Sequence, residues 1–106
     1  MDDRDTILDQ IVGRLVPAFR PRRIYLFGSQ ARGDSGPDSD FDVLLVLDEV
    51  KGQRWRVSQD AYLALRGVRA AIDVVVWPTA DFDRRLAAPA SLPATVAREG
   101  RLLYAA

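Results

Sequence analysis

The chain has 106 residues and a mass of 11.8 kDa, 48% apolar and 28% charged, which fits one folded globular unit and argues against wholesale disorder. Fifteen basic and fifteen acidic residues cancel, which argues against a general nucleic-acid or anionic-membrane binder. The sequence holds no cysteine and no histidine, so disulfides, thiolate and imidazole metal sites, cysteine nucleophiles and Ser-His-Asp arrangements are excluded.

The first segment reads as an amphipathic helix. Ile7, Ile11, Leu15 and Phe19 recur every fourth residue, and Leu8, Val12 and Val16 widen the stripe. Asp2, Asp3 and Asp5 suit a helix N-terminus, and Pro17 is expected to clip the last turn. Arg23 to Phe27 reads as a buried strand stopped by Gly28-Ser29, and Gln30-Ala31-Arg32 can start a short helix. Gly33 to Ser39 is turn chemistry. Asp40 to Leu47 is polar at its start and then apolar without alternation, as in a strand covered on both faces.

Arg54 to Leu65 reads as a helix stopped near Gly67, with Trp55, Ala61, Tyr62 and Leu65 expected in the core. Arg69 to Trp77 is a third strand, ended by Pro78. Thr79 is expected to cap a helix start, Leu92 to Glu99 is a short helix stopped by Gly100, and Arg101 to Tyr104 is a short edge strand. This order predicts an α/β (α+β) fold, a small sheet with helices packed on it, in a single domain over residues 1–106. The acidic N-terminus lacks a secretory signal's apolar core, and the run Val43 to Leu47 is far too short to cross a bilayer. A cytoplasmic protein is the expectation.

Without cysteine or histidine, chemistry must run on carboxylates, hydroxyls, arginines and borrowed cofactors. Three features stand out. Gly28-Ser29 leaves a strand where a helix can start, so free N–H groups and a hydroxyl could meet an anion. Asp40 and Asp42, two apart on a strand, point to one face, and their mutual repulsion invites a hard divalent cation; solvated aspartates at a strand end are the plain alternative. Asp73 interrupts Ile72 to Val76, where a carboxylate is costly unless paired, metal-bound or exposed on an edge strand. Arg20, Arg22 and Arg23 form a basic cluster expected to be solvated, with a partner-facing or RNA-facing role as the alternative.

Ten residues separate Ser29 from Asp40. With that spacing, Leu26-Phe27-Gly28-Ser29-Gln30-Ala31-Arg32-Gly33 and Asp38-Ser39-Asp40-Phe41-Asp42, together with Asp73, resemble the minimal nucleotidyltransferases of the DNA polymerase β superfamily. More narrowly, the chain resembles the antitoxin half of HEPN–nucleotidyltransferase toxin–antitoxin pairs. The resemblance implies a small mixed sheet with helices on one side. It implies that Gly28 and Ser29 hold the phosphates of ATP, with Arg32 as a further phosphate partner. Asp40 and Asp42 would bridge two magnesium ions (Mg2+), and Asp73 would complete the second ion's shell and help accept a proton.

Larger members carry a further domain for the acceptor, so brevity implies an acceptor bound at a shared surface or brought by a partner. The implied partner is a HEPN ribonuclease toxin in a hetero-oligomer, silenced by AMP attached to a tyrosine. Two alternatives stay open: an antitoxin that blocks by binding alone, and nucleotidyl transfer to a small molecule such as an aminoglycoside.

Overall fold

The computed structural model describes residues 3–33 and 40–106. The first helix, α1 (Arg4–Phe19), is capped by Asp3, whose carboxylate accepts the Thr6 N–H at 2.8 Å. It runs through Pro17 rather than stopping short. The proline removes a single backbone bond, the Arg20 N–H still closes onto the Val16 carbonyl at 2.8 Å, and fully buried Leu15 holds the last turns to the core. Arg20 then turns the chain in the left-handed region, at φ 48°.

The strand β1 (Arg23–Phe27) leads into a one-turn helix, α2 (Ser29–Arg32), and β2 (Phe41–Leu47) follows. Of the turn expected over Gly33 to Ser39, residues 34–39 lie outside the described residues, as do Met1 and Asp2. The chain continues through α3 (Arg54–Ala64), β3 (Ile72–Pro78), α4 (Thr79–Arg85), α5 (Leu92–Glu99) and β4 (Arg101–Ala105). The sheet order is β3-β2-β1-β4, with β2 parallel to β3 and the other two pairings antiparallel. This is the mixed α/β sheet expected. Its parallel pair is joined by α3, because parallel neighbours need a crossover.

Every residue of β2 except Asp42 is buried, which explains its unbroken apolar run. Phe41, Val43, Leu45 and Leu47 face α1 and α3, in a core with Ile11, Leu15, Ile24, Leu26, Val57 and Ala61. Leu44 and Val46 face the other way, against Phe82 of α4 and Val96 of α5. Helices therefore cover both faces, not one. Two fully buried aliphatic side chains on the second face demand a cover, and each contributes about 1.5–3 kcal/mol when buried. Phe82 supplies that cover and stacks on Tyr25 at 5.5 Å between ring centroids.

Other expectations shift for local reasons. The core stripe of α3 is Val57, Ala61 and, just past its end, Leu65, whereas Trp55 and Tyr62 are 56% and 43% exposed. Thr79 is the first residue of α4 rather than its cap, and its hydroxyl donates to Asp48 at 2.8 Å. The cap of α5 is Ser91, which accepts the Ala94 N–H. Arg22 and Arg23 are not simply solvated: they pair with Asp48 and Asp83, both at 2.7 Å. Among the described residues no helix is long and apolar enough to cross a membrane.

Candidate functional site

The N-terminal end of β2 is where the second face of the sheet changes character. Leu44 and Val46 lie under α4 and α5, but Asp42, one pleat earlier, is only partly buried. The antiparallel register sets Asp42 opposite Phe27, the last residue of β1, so Gly28 follows beside the carboxylate. A Cβ on Gly28 would lie 2.3 Å from Asp42 Oδ2. Glycine is required here twice over: by that contact, and by its backbone at φ 74°. The Gly28 carbonyl accepts the N–H groups of Ala31 and Arg32, both at 3.1 Å, which closes α2 immediately after the contact. Ser29 opens α2, half-buried, and Arg32 ends it, exposed.

The parallel register makes Asp42 and Asp73 direct partners on neighbouring strands, which places them on one face of the sheet. Asp40 lies just ahead of β2 and is exposed. Burial raises the pKa of the Asp42 carboxyl, the negative charges of Asp73 and Asp40 raise it further, and the positive charge of Arg32 opposes them. The two other predicted carboxylates and Arg32 thus all act on Asp42 at one end of the sheet. Asp73 is not at the strand centre. It is the second residue of an edge strand and exposed, so the desolvation expected at Asp73 falls instead on Asp42.

The donor chemistry fits a hard divalent cation. The cluster is made of oxygen donors of one sign, and Asp42 makes no ion pair among the described residues. As the side chains stand, no group of three carboxylates among the described residues closes into a ready-made cation cage. Phosphate oxygens would complete such a shell, as is usual for magnesium.

Two residues near the site were not legible as participants. Arg4, at the start of α1, donates to the backbone carbonyl of Gln30 and ties the two helices together. Nothing local in the sequence signals a contact across that separation. Tyr62 accepts the Val74 N–H at 3.1 Å and lies 3.5 Å from Asp73 Oδ1. Its signal was there to find: it falls off the stripe Val57, Ala61, Leu65.

Comparison with known proteins places these features in a family. No curated protein matches the chain. Among solved structures, a toxin–antitoxin complex with AMP-PNP is 25% identical, covering 93% of this chain and 73% of its own, with a TM-score of 0.58. A nucleotidyltransferase described as putative, from Sulfolobus solfataricus, is 27% identical, covering 76% and 74%, with a TM-score of 0.58. The toxin–antitoxin MntA-HepT shares the fold at 21% identity, covering 97% and 74%, with a TM-score of 0.57. A family model for the nucleotidyltransferase domain matches residues 7–96, a span that takes in the glycine-serine turn and all three carboxylates. The chain belongs to the nucleotidyltransferase domain family and is a nucleotidyltransferase with a polymerase β-type core.

Proposed function

We propose that this chain, as a single minimal domain, is a magnesium-dependent enzyme that moves AMP from ATP to a tyrosine hydroxyl of a cognate HEPN ribonuclease toxin, releasing pyrophosphate, and so serves as its antitoxin. The observation that carries the proposal is the pairing of Asp42 with Asp73 across parallel strands, with the Asp42 carboxylate against the α-carbon of Gly28. That arrangement sets a patch of negative charge beside the glycine-serine turn. The match to a complex solved with AMP-PNP supports an adenine nucleotide, and the toxin–antitoxin neighbours support a toxin partner.

Asp40, Asp42 and Asp73 would hold the metal. Bound there, magnesium supplies electrostatic stabilisation of the charge that develops on the transferring phosphoryl group. Gly28 leaves room for the Asp42 carboxylate beside the turn, Ser29 would offer a hydroxyl donor, and Arg32 would offer a guanidinium to a phosphate oxygen. Asp73, exposed on the edge strand, would take the proton of the incoming hydroxyl. The protein's part is to hold charge and geometry in place, which is most of what phosphoryl-transfer catalysis needs.

Incubation with labelled ATP, magnesium and the ribonuclease encoded beside it should label the ribonuclease on tyrosine and abolish its activity. Asp40→Ala/Asp42→Ala should end both effects. Protection that survives in the double variant would establish blocking by binding and overturn the enzymatic assignment.

A further inference from the structure

We propose that Tyr62 is a positioning residue for Asp73: its hydroxyl, pinned to the open edge of the sheet, aims its proton at the third carboxylate. This rests on the assignment of Asp73 to the metal-binding set. The edge strand β3 has a neighbour on one side only, β2, so alternate N–H groups face outward without a ladder partner. The Val74 N–H is one of these, and it donates to the Tyr62 hydroxyl at 3.1 Å. A phenol has one proton. With its oxygen accepting from Val74, that proton is left for Asp73 Oδ1, 3.5 Å away.

The ring lies at the margin of the core, with 43% of the residue exposed and the α3 core stripe running through other positions. The hydroxyl reaches around the edge of the sheet and supports Asp73 from the side away from Asp42. A long hydrogen bond in a ligand-free site commonly tightens once the site is loaded. Partners behind a metal-binding carboxylate orient it and tune its affinity.

The test is a double-mutant cycle of Tyr62→Phe against Asp73→Asn, with Mn2+ as the probe of the nucleotide-free protein, read by water-proton relaxation. Tyr62→Phe keeps the ring and should weaken Mn2+ about tenfold in the natural background. It should have no further effect once Asp73 is Asn. An equal loss in both backgrounds, or no loss in the natural one, overturns the proposal. The same four proteins are melted without metal. If the natural protein binds no Mn2+ either alone or with AMP-PNP, the metal assignment fails by itself, and the melts decide the Tyr62–Asp73 link. Non-additive melting temperatures support it, and additive ones overturn it.

Discussion

Asp42 lies at the start of β2 and Asp48 directly after its last residue, and the fold treats them in opposite ways. Asp48 receives two hydrogen bonds from Arg22, at 3.1 and 2.7 Å, and one from Thr79 at 2.8 Å. The Arg22 bond first, and then Thr79, hold its carboxyl below the ordinary carboxylate value. Asp42 meets burial and two further carboxylates, and its carboxyl is pushed up. A structural aspartate is neutralised from within the chain. Among the described residues, Asp42 has only the charge of Arg32 set against that burial and repulsion, and under the proposed function a bound cation would answer the rest.

Exchanging the two charges should break the comparison most sharply. Asp42→Asn should lower nucleotidyl transfer by roughly three orders of magnitude, as expected for a member of a catalytic unit. The same variant should melt higher than the natural protein at neutral pH. Asp48→Asn should melt lower and leave transfer within about twofold, because it lies far from the reacting atoms. If Asp42→Asn melts lower, the charge on Asp42 is already satisfied and the contrast is wrong.

Gly28→Ala should come next in size. The added methyl must displace the Asp42 carboxylate while the backbone stays at a strained φ. A destabilisation of about 1–3 kcal/mol is expected by calorimetry, with transfer reduced about a hundredfold. Magnesium should then raise the melting temperature of the natural protein. At a concentration a hundred times Kd the gain is about 2.7 kcal/mol, and it should vanish in Asp42→Asn.

The smallest effect is in the pH dependence of unliganded stability. The folded chain holds the Asp42 proton more tightly than the unfolded chain does. Stability from this group is therefore greatest at low pH and falls as pH rises from the ordinary carboxylate value through the raised one. Asp48 has the opposite sign: its contribution is present above the ordinary value and is lost as pH falls through the lowered one. Unfolding curves of each Asn variant, subtracted from those of the natural protein, should slope in opposite directions.

Elements whose periodicity reflects local burial were legible along the chain. The stripe of α1, the unbroken apolar run of β2 and the Leu92–Glu99 helix all appear where the residues place them. Errors fell where a distant contact outweighed a local preference. Pro17 is carried inside a helix anchored by Leu15, and Thr79 gives its hydroxyl to Asp48 rather than to its own helix. Trp55 has helical spacing but lies outside the packed stripe.

The candidate site divides along the same line. Residue type and spacing singled out Gly28, Ser29, Asp40, Asp42 and Asp73, with solvated aspartates and an exposed edge position as plain alternatives, and the resemblance to a family gave those residues their expected roles. Which carboxylate carries the burial, and that a tyrosine from α3 stands behind Asp73, depended on strand order and register. Those are settled by which faces of distant segments pack together, a property that no short stretch of the chain contains.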